Sequence, residues 1–408
     1  MSSAPPADRA GRGLSRRALL GGAAALGGAV AVARLVGEAG AASADGMRYR
    51  TLGRTGLRVS EVGFGGFPIG DPDVLVYALE RGVNYVDTSH CYRGGESERT
   101  IGQALRGRRD RFVVATKWCP HHVGLPVRKA SFLQQLDDSL RRLGTDHVDV
   151  LFNHEVGRHS DGRGVERLKD PEMLAAWDAA KQAGKARFLG VSGHDGDLMR
   201  VMGHAVDAGP FDVLLGRYSF LDYPEQQGLI LRAAAKGVAF VAMKTLAGAK
   251  GADLDRFRDQ ATVKQAALKW VLSNPHLANL VISISSRRQV DEYVAASGTP
   301  LGEADQAALA AYAARFSAEV CRLCNACEAA CPGEVRIADV LRFSMYHHEY
   351  GEPERAAAEY ARLLAGERAA RCADCSGPCA SACDYDLPVK TLLLRAHAAL
   401  AGPGSERG

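Results

Sequence analysis

The chain has 408 residues, 47% of them hydrophobic and 24% charged; this is globular usage, it excludes disorder over most of the length, and it exceeds one ordinary domain. A formal net charge of +4 is too small to imply a nucleic-acid partner. With 45 Gly and 16 Pro the chain is neither collagen-like nor low-complexity, and 10 Cys are too dilute for a disulfide mini-protein.

Residues 1–44 read as a removable address. Arg9, Arg12, Arg16, Arg17 and Arg34 face only Asp8 and Glu38, so most of the net charge lies here. Ser15-Arg16-Arg17-Ala18-Leu19-Leu20 opens a Gly/Ala/Val/Leu run to about Val36, and Ala42-Ser43-Ala44 follows. A basic start, an apolar stretch and a small-residue cleavage site make a secretory signal. The paired Arg resembles a twin-arginine export signal. A disordered Ala-rich tail and an uncleaved anchor are the alternatives. Arg34 and the scarcity of large apolar residues count against a spanning helix. The expected location is the periplasm or the outer face of the cytoplasmic membrane, with membrane contact only through the signal.

Within residues 45–302, short apolar strands alternate with amphipathic helices from Val62 to Ile284. The strand candidates are Val62–Gly66, Val83–Asp87, Arg111–Lys117, His147–His154, Ala186–Ser192, Phe211–Tyr218, Val238–Lys244 and Asn279–Ile284. Helical patterns such as Ser131–Leu143 and Glu172–Ala183 lie between them. Regular βα alternation gives parallel strands, and eight of them over this length fit a (β/α)8 TIM barrel. A doubly wound open sheet is the alternative, but Gly63-Phe64-Gly65-Gly66 does not supply its dinucleotide-binding turn. The strands end in Asp87, Lys117, His154, Ser192, Tyr218, Lys244 and Ser283/Ser285, and in a barrel those ends form the active-site rim. Any strand leaving a core also needs a polar end, so a single Ser says little. An Asp, a Lys and a His on three successive ends say more. The polar, Gly/Arg-rich insertion Glu155–Asp170 names no substrate.

Three motifs occur in order. They are Gly82-Val83-Asn84-Tyr85-Val86-Asp87-Thr88-Ser89-His90-Cys91-Tyr92, Val113-Val114-Ala115-Thr116-Lys117, and the segment from Leu143 to His154. Together with Arg50–Ser60, they resemble the aldo-keto reductase family over about residues 47–300. The resemblance implies NAD(P)H-dependent exchange of a hydride with a carbonyl or alcohol. It implies that Tyr92 is the acid/base, Lys117 its tuner, Asp87 the Lys partner and His154 the carbonyl orienter. The chemistry is coherent: carbonyl reduction needs a proton at the developing alkoxide, and a nearby ammonium makes a phenol a better donor. A structural ion pair and a core His are the plainer readings of the same residues. The resemblance further implies that Tyr218 stacks under the nicotinamide and Ser192 contacts its carboxamide. Lys244, Ser285, Arg287 and Arg288 fall in the region of the pyrophosphate and adenosine phosphate. Gly193 stands where the family has Asn, and Gln289 near where it has an Arg for the 2′-phosphate. NADP and NAD both stay open, and a solvated helix start is an equal reading of Arg287 and Arg288.

Residues 303–402 hold eight of the ten Cys. Cys321-x2-Cys324-x2-Cys327-x3-Cys331-Pro332 has the spacing of a bacterial ferredoxin run. Cys372, Cys375, Cys379 and Cys383 form a second array with one more residue between the second and third Cys, and with Asp384 where Pro would stand. In two-cluster ferredoxins each run gives its last Cys to the other cluster. That pattern assigns Cys321, Cys324, Cys327 and Cys383 to one 4Fe-4S cluster, and Cys372, Cys375, Cys379 and Cys331 to another. Zinc and disulfides are the alternatives. Aldo-keto reductase-like proteins with a C-terminal 4Fe-4S domain and an export signal form the subgroup this chain resembles. Cys91 and Cys119 lie outside the arrays; Cys91 neighbours Tyr92, but a small buried hydrophobe is the common fate of such a Cys. The expectation is an exported oxidoreductase coupled through its clusters to a redox partner protein. A reductase with purely structural clusters and an electron-carrier protein on a barrel scaffold are the other two readings.

Overall fold

In a computed structural model of the chain, residues 46–119, 128–154, 163–194, 197–221, 224–246, 263–348 and 352–401 are described. The chain divides into two compact units, 1–39 and 40–408, and every described residue lies in the second. The export signal expected over residues 1–44 lies outside the described residues. None of the described helices is long and apolar enough to cross a membrane.

A short antiparallel hairpin, β1 (Tyr49–Thr51) and β2 (Arg58–Ser60), comes first. Eight strands follow: β3 (Val62–Gly65), β4 (Tyr85–Asp87), β5 (Val113–Trp118), β6 (Val148–Asn153), β7 (Ala186–Gly193), β8 (Val213–Arg217), β9 (Ala239–Met243) and β10 (Asn279–Ser283). They are parallel and close into a barrel, with β10 pairing to both β9 and β3. Each expected strand is present, and most are a residue or two shorter than the apolar run that marked them. The (β/α)8 reading is correct and the open sheet is not formed.

Period-two alternation divides the strands. Val113, Ala115, Val150, Phe152, Val213, Leu215, Ala239 and Val241 fill the barrel interior. The residues between them, such as Val114, Leu151, Leu214 and Phe240, join the larger core under the helices. Leu52 and Val59 from the hairpin belong to the inner core and plug its lower end. Gly53 makes that approach possible: its φ is +52°, and a Cβ there would stand 2.5 Å from the Gly237 carbonyl oxygen.

The outer helices are α1 (Pro72–Glu80), α2 (Glu96–Leu105), α3 (Lys129–Leu143), α4 (Gly164–Leu168), α5 (Pro171–Gln182), α6 (Leu198–Ala208), α7 (Pro224–Ala235), α8 (Val263–Leu272) and α9 (Arg287–Val294). Their starts have local causes. Asp71 and Asp170 precede Pro72 and Pro171, and their carboxylates accept backbone N–H bonds of 2.9 and 2.8 Å. The insertion after β6 is described only from residue 163, one residue before α4 begins.

The next helix, α10 (Glu303–Phe316), adds Ala308, Leu309 and Tyr312 to the barrel's outer core. Lys269 on α8 reaches its Asp305 at 3.1 Å. The barrel's packing therefore extends past residue 302. A separate core begins at Cys327 and takes in Ile337, Phe343, Tyr360, Val389 and Leu393. It is built from α11 (Ile337–His348), α12 (Pro353–Arg362), the short α13 (Pro378–Ser381) and α14 (Val389–Leu400).

Candidate active site

A cleft of about 340 Å³ opens at the C-terminal ends of the barrel strands. Asp87 ends β4, Lys117 is the next-to-last residue of β5, and His154 immediately follows β6. Tyr92 sits five residues beyond β4. All four line the cleft. Lys117 Nζ donates to Asp87 Oδ2 at 2.5 Å and to the Thr88 carbonyl at 2.6 Å. The same ammonium lies 4.6 Å from the centre of the Tyr92 ring. The His154 ring meets Tyr92 edge-on at 5.9 Å, and Phe67 meets it from another side at 5.5 Å.

The electrostatics follow from burial. Lys117 and Asp87 are 2% and 4% exposed, so neither ion has water to fall back on. Burial pushes the Asp87 carboxyl above its usual value, and the Lys117 ammonium pulls it back. Its second oxygen, Oδ1, has no partner among the described residues, which adds to the cost of its charge. The 2.5 Å contact is the geometry of an ion pair, with Asp87 as the weaker-held charge.

Behind the cleft floor, His154 Nδ1 turns toward sulfur. Cys119 Sγ is 2.9 Å away and Cys91 Sγ 3.5 Å. The sequence places Cys91 beside Tyr92 and otherwise offers both Cys the common fate of a small buried hydrophobe. Their meeting with His154 depends on the side-by-side pairing of β4, β5 and β6, which no local pattern records.

Of the residues expected at the cofactor end, Ser192, Lys244 and Ser285 line the cleft. Lys244 holds a left-handed φ of 56°, uncommon for a side chain of its size, at the exit of β9. Tyr218 does not line the cleft. Its hydroxyl donates to Gln227 Oε1 at 2.9 Å and accepts from Asn274 Nδ2 at 3.2 Å, and its ring packs on Trp270. Strand parity explains this: Leu215 points inward, so Tyr218 points to the helices. Leu215 and Met243 are among the apolar groups on the cleft wall. Arg287 and Arg288 are likewise outside it; Arg287 lies over the Tyr77 ring at 5.3 Å, and Gln289 and Lys264 face the cleft instead.

The C-terminal part supplies the rest of the wall. Tyr346, Glu352 and Arg355 line the cleft. The Arg355 guanidinium lies over Tyr346 at 4.5 Å and over Phe67 of the barrel at 4.9 Å. Arg342, fully buried and paired with Asp339 at 2.8 Å, stands 3.5 Å from His194 on the rim.

The eight array thiols fall into two groups. Cys321, Cys324, Cys327 and Cys383 act electrostatically on one another. Cys331, Cys372, Cys375 and Cys379 form the other group and line a small cavity together. Burial pushes Cys321 and Cys372 up to about 11, and neighbouring thiols add to it. Arg217, the last residue of β8, opposes the rise at Cys321, and Lys390 opposes it at Cys372. Among the described residues, no three of these eight sulfurs lie within 4.8 Å of one another. A single tetrahedral zinc needs sulfurs about 3.8 Å apart.

Residues 71–257 match the model of the Aldo/keto reductase family. L-galactose dehydrogenase from Arabidopsis thaliana is 29% identical over 288 residues, covering 61% of this chain and 88% of that protein. An aldo-keto reductase from Bacillus halodurans, in its holo form, superposes with a TM-score of 0.53 at 25% identity, covering 65% of this chain and 96% of its own. An aldo/keto reductase from Klebsiella pneumoniae, solved with NADP and acetate, gives 0.53 and 25% over 64% and 94%.

Proposed function

We propose that this chain, which carries an aldo/keto reductase family domain, is an exported oxidoreductase that interconverts a carbonyl and an alcohol with NAD(P)H and holds 4Fe-4S clusters at its C-terminus. One observation carries the chemistry: the Lys117 ammonium is 2.5 Å from Asp87 and 4.6 Å from the Tyr92 ring at one end of the cleft.

The nicotinamide, when bound, supplies or takes the hydride. The chain's own groups manage the proton. The Tyr92 hydroxyl gives it to the carbonyl oxygen. Lys117 offsets the negative charge left on the phenol oxygen, and Asp87 holds Lys117 in place. His154 donates to the same carbonyl oxygen and orients it. Ser192 suits the carboxamide, and the ammonium groups of Lys244 and Lys264, with Ser285 and Gln289, suit phosphates. The NADP in the Klebsiella pneumoniae structure favours NADP over NAD.

For the clusters, the fit rests on thiols in two groups of four, in which burial pushes Cys321 and Cys327 of one group and Cys372 and Cys379 of the other toward the neutral form. Cys321, Cys324, Cys327 and Cys383 would hold one cluster; Cys331, Cys372, Cys375 and Cys379 would hold the second. A bound cluster supplies one-electron exchange, which calls for a redox partner protein. Export rests on Ser15-Arg16-Arg17 and the apolar run behind it. That route is associated with proteins that load cofactors before they leave, which suits both a cluster and a tightly held nucleotide.

A second reading keeps the reductase and makes the clusters structural. Tyr346 and Arg355 favour it, because the thiol-bearing part then serves to complete the cleft.

The test is an anaerobic preparation of the mature protein, with iron and sulfide counted and NADPH added with a generic aldehyde. Two clusters predict about eight irons per chain, and fewer than about two removes the cluster proposal. Aldehyde turnover that survives loss of the clusters selects the second reading.

A further inference from the structure

Four donor atoms meet beneath the cleft floor. Ser89 Oγ is 3.0 Å from Cys91 Sγ, 3.4 Å from Cys119 Sγ and 3.5 Å from His154 Nδ1. Cys91 Sγ and Cys119 Sγ are 3.1 Å apart, and they stand 3.5 and 2.9 Å from His154 Nδ1. The six separations describe a nearly regular tetrahedron. One with edges of about 3.2 Å has its centre about 2.0 Å from each corner, close to the bond lengths of zinc to nitrogen and oxygen. We infer that Ser89, Cys91, Cys119 and His154 form a Zn²⁺ site, distinct from the two arrays of the C-terminal part.

The donor chemistry agrees. Two thiolates and an imidazole suit a borderline-soft ion, and two thiolates neutralise its charge where water is scarce. Ser89 and Cys119 are fully buried and His154 nearly so, while Cys91 is partly exposed and leaves a way in. The corners are also held from behind. The backbone N–H of Cys119 donates to Gln135 Oε1 at 3.0 Å, that of His154 to the Trp118 carbonyl at 2.8 Å, and that of Tyr92 to the Ser89 carbonyl at 3.1 Å. Ligation asks the sulfurs to part to about 3.8 Å, a movement the Cys91 turn can make. A simple Cys91–Cys119 disulfide would explain neither the 2.9 Å approach of Nδ1 nor the inward Ser89 hydroxyl.

The site has a consequence for the cleft. His154 lines it and the two Cys do not. With its Nδ1 lone pair on the ion, His154 must carry its proton on Nε2 and donate from that side. The metal site itself stands apart from the reductase proposal; only this donor role rests on it.

Zinc and iron counted on the anaerobically purified, cluster-loaded protein test the site, before and after incubation with Zn²⁺ alone and desalting. The expected result is one tightly held zinc per chain, lost in both Cys91→Ser and Cys119→Ser with iron unchanged. Absence of zinc from the wild type after incubation overturns the inference. So does zinc that both substitutions leave in place, or a Cys91–Cys119 disulfide found by mass in protein lacking zinc. Should a variant fail to fold, X-ray absorption at the zinc edge of the wild type decides. Two sulfurs with one or two light donors support the site, and four sulfurs overturn it. A protein that binds zinc here yet reduces no aldehyde keeps the site and loses the reductase proposal.

Discussion

Replacing Lys117 by Met probes the electrostatic heart of the site. The ammonium lies 4.6 Å from the Tyr92 ring centre. At an effective dielectric near 20, a unit charge at that distance stabilises a phenolate by about 3–4 kcal/mol. If Tyr92 gives up its proton as the alkoxide forms, the whole of that stabilisation belongs to the transition state. Turnover should therefore fall by about 10²–10³-fold, with KM for the aldehyde changed far less. The fold should suffer in a pH-dependent way. Without Lys117, the strongest opposition to burial at Asp87 is gone, so the folded protein binds that proton more tightly than the unfolded chain. A group of this kind contributes its full stability below the unfolded carboxyl value of about 4 and loses it as pH rises through the folded value. The variant should thus approach wild-type stability as pH is lowered and fall behind at neutral pH. NADPH oxidation with a generic aldehyde and urea unfolding at two pH values read both effects. A turnover loss below tenfold, in a variant that unfolds like the wild type, would refute the electrostatic role.

Two further substitutions separate the cleft from its surroundings. Tyr218→Phe removes a hydroxyl that bonds Gln227 and Asn274 in the helix layer; it should cost about 1 kcal/mol in denaturant unfolding and leave KM for NADPH unchanged. Arg355→Ala removes two cation–π contacts, one of them to barrel residue Phe67. At about 0.5–1 kcal/mol each, they amount to a rise of roughly 5–30-fold in KM for substrate or nucleotide, with kcat nearly preserved.

Much of this was legible in the chain. Strand ends bearing Asp87, Lys117 and His154 announced the rim, because period-two runs stop where the backbone leaves the core. The same periodicity carried the answer for Tyr218, three residues past the inward Leu215, but a strand that ends in Tyr draws the eye to the ring and away from the parity. Arg287 and Arg288 fit a phosphate site and a solvated helix start equally by position, because a helix start points successive residues in different directions; of the three, Gln289 lines the cleft. Two features had no local signal at all. Cys119 meets His154 only because neighbouring strands bring together residues 35 apart. Tyr346 and Arg355 reach the cleft only because α11 and α12 lie at the barrel mouth. Neither contact leaves a mark in spacing or composition.

The central claim is proton delivery by Tyr92, and Tyr92→Phe tests it with the least disturbance, since only one oxygen is lost. Steady-state reduction of an aldehyde by NADPH should fall by about 10²–10⁴-fold, with nucleotide binding intact. Turnover equal to that of the wild type would contradict the assignment of this site.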